Sequence, residues 1–220
     1  MKILNAFVRI GCLLTILFSV STSIGAQTIT EFFDKKDTSA LYLGIDFTRS
    51  KLINDPNVNV NVLRDHDFTK INEIIVSEPK KYDLKKLFHK EHIDHDLGFV
   101  NAKNQAMNVD GIMSTNAADI HHLIQEDIES MVKNYDFGDK RGLGLLFVME
   151  GLDKYRKLIS MWVNVVDMST KEVLMNERID GEVSMGFGVP NYYASGIKNM
   201  MNLIQSDFYT TWKMKFGSDK

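Results

Sequence analysis

Three of the six histidines lie within one eight-residue segment, at a spacing of three and with carboxylates between them. They are His89, His92 and His95, in the segment HKEHIDHD. Histidine and carboxylate groups are common metal ligands, so the segment raises the question of a metal site. On a helix His89 and His95 diverge by roughly 120° around the axis, and on a strand His92 faces away from the other two. We therefore predict no metal site here, and expect His89 and His92 to lie at the C-terminal end of a helix.

A glycine-containing loop near the C-terminus, SMGFGVPNYYASG, resembles a phosphate-binding loop only in part. Gly186 and Gly188 have the right spacing, but Asn191 stands where a third glycine belongs. The sequence predicts a tight turn and then a helix that starts near Asn191. Aromatic residues gather beside this turn, where a partner could dock. The candidate binding residues are Phe187, Asn191, Tyr192 and Tyr193, with Trp162 added if its strand face is uncovered.

Catalytic patterns are incomplete elsewhere in the chain. Ser195 and Lys198 fit the Ser-x-x-Lys spacing of acyl-enzymes, yet the companion Ser-Asp-Asn and Lys-Thr-Gly elements are absent from the sequence. Glu150 and Asp153 could serve acid–base chemistry, but no nucleophile accompanies them, and we expect both to be solvated turn residues. We predict no catalytic residue, no metal and no cofactor.

The N-terminal residues have the pattern of a secretory signal peptide. A basic start with Lys2 and Arg9 precedes an apolar segment, and a small, polar stretch ends at Ala26. The apolar segment is shorter than the roughly 20 residues that cross a bilayer. Cys12 lies too early for a lipoprotein signal. We therefore expect cleavage after residue 26, no transmembrane segment in the mature chain, and an exported, soluble product in the periplasm or the medium.

The charge balance and the cysteine content limit which partners and which chemistry the chain can use. The chain has 26 basic and 29 acidic residues and a net charge of −3, and loss of Lys2 and Arg9 makes the mature chain more acidic. Nucleic-acid binding depends on neutralising phosphates, so this balance argues against a nucleic-acid partner. Cys12 is the only cysteine. The mature chain therefore cannot form disulfides or use a thiol nucleophile.

Hydrophobic periodicity predicts the order of the elements in one domain, residues 40–216, after a loose lead-in over residues 27–39. We expect a strand at 40–47, a brief edge strand near 58–62, a helix at 67–78, a short helix from 82 into the histidine segment, a strand at 98–104, a helix at 114–135, strands at 142–152, 157–167 and 171–183, and a helix at 191–216. This order indicates an α/β (α+β-like) fold. Its mixed sheet would contain a C-terminal three-stranded antiparallel meander, covered by helices and ending in a long amphipathic helix.

Four short motifs resemble those of an uncharacterised family of exported bacterial envelope proteins. They are GIDFT (44–48), EPKKY (78–82), DMSTKEVL (167–174) and GFGVPNYY (186–193). The strand–turn–strand segment at 162–183 is also similar, at the level of fold, to the group that includes the curli pore protein, the amino-terminal domain of TolB and lipoprotein activators of penicillin-binding proteins. Neither resemblance implies a catalytic residue. The anchor cysteine common in that group is absent here.

These observations together predict an exported, non-enzymatic envelope protein that binds another macromolecule or helps to assemble a surface structure. Two alternatives remain open at the level of sequence. One is a small metal-dependent hydrolase that uses the segment from His89 to His95 with Asp94 and Asp96. The other is a carrier of a small ligand, which requires a cavity.

Overall fold

The structure is a computed structural model, which describes residues 28–218. The predicted signal peptide and its cleavage site lie outside these residues. The helices are α1 (Ile29–Asp34), α2 (Val60–Val62), α3 (Phe68–Ser77), α4 (Leu84–Leu87), α5 (Gly98–Ala106), α6 (Gln125–Lys133), α7 (Gly188–Leu203) and α8 (Tyr209–Phe216). The strands are β1 (Ala40–Asp46), β2 (Lys51–Ile53), β3 (Ile93–His95), β4 (Met113–Ser114), β5 (Leu143–Asp153), β6 (Leu158–Asp167) and β7 (Glu172–Glu182).

The seven strands form one mixed sheet around β5. Strands β1 and β2 pair with successive stretches of β5, both in parallel, and β3 and β4 extend this parallel part outwards. On its other side β5 pairs antiparallel with β6, and β6 with β7. Every residue of β5 is buried, as its nearly continuous apolar sequence predicts for a central strand. The predicted fold class and C-terminal meander are confirmed.

Helices cover both faces of the sheet. Ile159, Met161, Val163 and Val165 of β6 lie in the larger core cluster, which also contains residues of α1, α3, α7 and α8. Trp162 and Val166 point to the other face, into a smaller cluster with Ile128 and Val132 of α6. The alternation along β6 thus assigns its side chains to two cores, as predicted.

Two buried asparagines close the edge of β1 beyond the end of β3. Asn72 on α3 accepts a hydrogen bond from the Ile45 N–H (2.7 Å) and donates to the Ile45 carbonyl (3.1 Å). Asn104 on α5 accepts from the Phe47 N–H (2.8 Å) and donates to the same Ile45 carbonyl (2.9 Å). Buried backbone groups need such partners. The two side-chain amides therefore replace a neighbouring strand.

The first and last described helices pack together. The Thr30 hydroxyl of α1 donates to the Phe216 carbonyl of α8 (3.0 Å), and the Phe33 and Phe216 rings stack with centroids 5.8 Å apart. The Ser218 N–H donates to the Asp34 carboxylate (3.1 Å). The prediction of a loose lead-in is therefore wrong from Ile29 onwards. A capping box formed by Thr28 and Glu31 starts α1, and this helix buries Phe32 and Phe33.

Three other predicted elements also differ from the structure. The prediction of an edge strand at 58–62 is wrong, since the Asn59 side chain caps a helix there. The prediction of a strand at 98–104 is wrong, since this segment belongs to the helix α5. The single helix at 114–135 is divided into a 3₁₀ turn, Ala117–His121, and α6. Local caps account for the first and the third, because the Asn59 and Asn116 side chains accept hydrogen bonds from backbone N–H groups at the start of the turn that follows.

The C-terminal helical region is confirmed, with α7 and α8 joined by a π-helical stretch at Ile204–Phe208. Its apolar stripe, including Ile197, Met200 and Trp212, is buried in the larger core cluster. Within residues 28–218 no helix combines the length and apolar character needed to cross a bilayer.

Candidate functional site

The histidine segment does not form a metal site in the described part of the chain. The helix expected to run into it ends at Leu87, so His92 lies beyond the helix and not at its C-terminal end. His89 follows Phe88, the C-cap residue of α4, with φ of 50°, and its ring stacks on Tyr209 at a centroid distance of 3.9 Å. Burial, and then nearby lysines, lower the pKa of His89. Among residues 28–218 no group of three His, Cys, Asp or Glu side chains is arranged to hold a metal ion.

An open cavity lies where two neighbouring parallel strands end. Its lining consists of residues 54–56, which follow β2, and residues 113–115, which are the two residues of β4 and the residue after it. The volume of this cavity is about 410 Å³. The Asn54 N–H donates to the Ser114 carbonyl (3.0 Å), and the Lys154 N–H, just after β5, donates to the Ile53 carbonyl (3.0 Å). The carboxyl ends of parallel strands are the usual position of ligand sites in α/β proteins. This edge of the sheet is the candidate site.

The N-terminal part of α7 supplies aromatic residues to the same edge. The Tyr193 hydroxyl donates to Asp55 Oδ2 (3.4 Å), and Lys154 Nζ lies 3.8 Å from the centroid of the Tyr192 ring. Tyr193 is only 1% exposed, and burial raises its pKa. The prediction of Tyr193 as a contact residue is therefore wrong: its ring is part of the larger core, where it anchors α7 beside the cavity. Tyr192 is half-buried and accessible from solvent.

The glycine turn before α7 holds two large apolar side chains in solvent. Phe187 is 97% exposed and Met185 is 94% exposed. A side chain at Gly186 would meet the Asn191 backbone at 2.5 Å, so the chain there passes too close for any residue with a Cβ. Asn191 Nδ2 donates to the Phe187 carbonyl (2.9 Å). Asn191 thus fixes the turn, while Phe187 and Met185 project from it.

Trp162 lies away from this edge, under a covered face. Its residue exposure is 9%, and the guanidinium carbon of Arg178 lies 4.5 Å from its ring centroid. The condition attached to Trp162, an uncovered strand face, is not met. We therefore remove it from the candidate contact residues.

Glu150 and Asp153 are buried, so their prediction as solvated turn residues is wrong. Glu150 accepts a hydrogen bond from the Leu123 N–H (2.5 Å) and pairs with Arg178, and burial raises its pKa. Asp153 accepts from the backbone N–H (2.8 Å) and Nε (2.7 Å) of Arg156. The sequence did contain a signal: Glu150 interrupts an otherwise apolar strand, and a buried charge requires a partner.

Ser195 is occupied by structural hydrogen bonds. Its hydroxyl donates to the Tyr192 carbonyl (2.7 Å) and accepts from the Ser184 N–H (3.0 Å). Ser195 lies in the middle of α7, where its hydroxyl ties the helix to Ser184, just after β7. The described geometry gives it no activating base.

Comparisons with known proteins place the chain in no family. No protein-family model matches it, and no curated protein does. Among solved structures it is similar to lipoprotein GNA1162 from Neisseria meningitidis, with 14% identity and a TM-score of 0.31 over 77% of this chain and 98% of that one. It is also similar to the hypothetical protein CT253 from Chlamydia trachomatis, with 11% identity and a TM-score of 0.29 over 81% of this chain and 95% of that one. Neither likeness is strong enough to assign a function, and the family resemblance remains a prediction.

Proposed function

We propose that this is an exported, non-enzymatic protein of the bacterial envelope that binds another macromolecule through Met185, Phe187 and Tyr192. We call these three residues the aromatic corner. The observation that carries the proposal is the exposure of Phe187 and Met185 on a turn that hydrogen bonding and close packing hold in place.

The energetic argument is that this surface is unfavourable in water and favourable in a complex. Burial of a Phe or Met side chain contributes about 1.5–3 kcal/mol each. Because the turn is fixed by Asn191 and by the close approach at Gly186, little backbone freedom would be lost on binding. Rigid aromatic anchors of this kind often provide most of the energy of an interface.

The non-enzymatic part of the proposal is supported by the assignments of the polar residues. Glu150, Asp153 and Ser195, the groups of catalytic type singled out in the sequence, all hold neighbouring backbone or an arginine. Export is supported by the signal-peptide pattern of residues 1–26.

Photo-crosslinking tests this function. A benzophenone amino acid is placed at position 187 and, as a matched control, at Met214, an apolar residue of α8 that is 57% exposed. We expect one defined adduct from position 187 in cells of the source bacterium and none of the same mass from position 214. Phe187→Ser in a protein that carries the crosslinker at position 185 should reduce the adduct at least fivefold. Equal adducts from positions 187 and 214 would refute the proposal.

A second variant leaves all three side chains of the aromatic corner unchanged. Gly186→Ala places a Cβ against the Asn191 backbone and must displace the turn. Gly98→Ala is the control, because its added Cβ meets only a carboxylate oxygen of Asp96 at 3.2 Å. We expect the adduct to weaken in Gly186→Ala alone, with the folded state verified by circular dichroism.

The cavity beside the aromatic corner favours a second candidate, a carrier of a small apolar ligand. Its volume of about 410 Å³ is within the range of ligand pockets, and Pro56 and Met113 give it apolar walls. Saturable binding of a fluorescent apolar probe, lost in Met113→Glu and retained in Phe187→Ser, would favour the carrier over the macromolecular binder.

A further inference from the structure

A second cavity, separate from the aromatic corner, is lined by polar and charged groups. It has a volume of about 260 Å³ and lies beside residues 48–51, which comprise most of the connection between β1 and β2 and the first residue of β2. We call this segment the TRSK loop after its sequence, Thr48-Arg49-Ser50-Lys51. Asn108, Asp110 and His122 complete the polar part of the lining.

The TRSK loop is held in one conformation by backbone and side-chain hydrogen bonds. The Thr48 N–H donates to Asp46 Oδ1 (2.7 Å), and the Ser50 hydroxyl donates to the Met149 carbonyl (3.0 Å). The Ser50 N–H donates to the Phe47 carbonyl (3.0 Å). The loop is therefore preorganised, and a ligand would not have to order it.

His122 joins the wall of this cavity to the TRSK loop. Its Nδ1 lies 2.8 Å from the Asp119 carbonyl oxygen and its Nε2 lies 2.9 Å from the Arg49 carbonyl oxygen. Carbonyl oxygens only accept hydrogen bonds, so a ring nitrogen of His122 that carries a proton donates to the carbonyl beside it. The contact at Nε2 places the imidazole against the Arg49 backbone.

Arg49 and Lys51 against Asp110 leave the lining of the cavity with a balance of one positive charge. Lys51 Nζ donates to the Gly111 carbonyl (2.6 Å), which keeps the ammonium at the cavity. Within residues 28–218 the ionic contact of the Arg49 guanidinium is a distant one, 3.6 Å to Asp127, and its side chain is 50% exposed. Asp110 is the one acidic residue among those lining the cavity in the described part of the chain. Arginine, lysine and hydroxyl groups are the side chains that bind phosphate oxygens best.

We propose that the TRSK loop and His122 form a binding site for a phosphate group, either inorganic phosphate or a small phosphate monoester. Arg49 and Lys51 bind the phosphate oxygens, Thr48 contributes its hydroxyl, and His122 positions the Arg49 backbone. The size of the cavity limits the ligand. At about 30 Å³ for each water molecule, it holds the equivalent of roughly nine waters, which suits a compact molecule better than a nucleotide.

The test is an amide NMR titration of the purified protein with inorganic phosphate, glycerol 3-phosphate and succinate at constant ionic strength. We expect saturable shifts at residues 48–51 and Gly111 with the two phosphate compounds. The tighter of these two identifies the source of the phosphate. Shifts that stay linear, or succinate binding as tightly as phosphate, would overturn the proposal.

Variants distinguish a specific phosphate site from general electrostatic attraction of phosphate to the protein. Arg49→Gln and Lys51→Gln should each weaken phosphate binding by roughly tenfold. Lys133→Gln, which removes a charge from the exposed end of α6, should leave it unchanged. Thr48→Val keeps every charge and should still weaken binding severalfold, so it carries the test if Arg49→Gln fails to fold. Equal weakening by Lys133→Gln and Arg49→Gln would contradict a specific site.

Discussion

Arg178 on β7 and Glu150 on β5 form an ion pair across the intervening strand β6, with Nε and Oε2 2.9 Å apart. The register of β5 against β6 shifts between Met149 and Gly151, which takes Glu150 out of the regular ladder. The pair also holds Leu123, whose N–H donates to Glu150 and whose carbonyl accepts from Arg178 Nη2 (2.5 Å). One ion pair thus fixes the chain between the 3₁₀ turn and α6.

Removal of Arg178 should be strongly destabilising. Arg178→Met leaves the fully buried Glu150 side chain without its cation, and breaking a buried pair in this way costs about 3 kcal/mol or more. Urea unfolding at pH 7 measures the loss. As a control, Lys35→Met breaks an exposed pair with Glu31 and should cost less than about 1 kcal/mol. Similar costs for the two variants would contradict the structural role of Arg178.

Glu150 should also give stability a recognisable pH dependence. Burial raises the pKa of its carboxyl group in the folded state, so the folded protein holds this proton more tightly than the unfolded chain. Its contribution is therefore complete below the unfolded pKa of about 4.3 and is lost as pH rises through the folded pKa. The free energy of unfolding in urea is measured against pH for the wild type and for Glu150→Gln, whose side chain cannot titrate. The wild-type value minus the variant value should show this decline. A difference that rises with pH would have the wrong sign.

The two asparagines that close the edge of β1 should be needed for stability, because their replacement leaves buried backbone N–H groups without an acceptor. Asn72→Leu removes the partner of the Ile45 N–H, and Asn104→Leu removes that of the Phe47 N–H. A buried donor without a partner costs about 1–3 kcal/mol. Thermal and urea unfolding measure each loss. Asn202→Leu, at an exposed position of α7, is the matched control and should change stability by less than about 0.5 kcal/mol.

Lys90 should titrate near pH 8. Its ammonium donates to the Phe32 and Lys35 carbonyls near the end of α1, and burial lowers its pKa to about 8. Since the unfolded chain then binds more protons between pH 8 and about 10.4, this lysine should make stability rise with pH in that window. NMR detection of its side-chain resonances gives the midpoint directly. A midpoint above 10 would refute the assignment, as would a stability difference from Lys90→Met that does not change with pH.

The sequence predicted the meander and the principal helices because their hydrophobic periods are long and regular. The alternation of β6 correctly separated Met161 from Trp162. Segments with fewer apolar residues were mispredicted, and the helix α5 is the clearest case. Its buried Asn104 is a polar residue, and it is buried because β1 lacks a partner strand there, which no local pattern reveals.

The candidate site was predicted less completely than the fold. The turn and its exposed Phe187 followed from glycine spacing and aromatic content, but Tyr193 was not distinguished from Tyr192. Adjacent helix residues differ by about 100° in direction, so a core-facing and a solvent-facing tyrosine can be separated only when the orientation of the helix is known. The cavity at residues 54–56 and 113–115 depends on strands far apart in sequence. Its residues have no joint pattern in the chain.

The packing of α1 against α8 brings both ends of the described chain to one place, with Ser218 bonded to Asp34. A short flexible linker could therefore join the two ends, and new ends could be opened in the exposed turn near Gly138, between α6 and β5. A circular permutant of this design should keep the sheet intact. It would also separate the order in which the strands are synthesised from the order in which they pair, because the meander β5–β6–β7 would then emerge first.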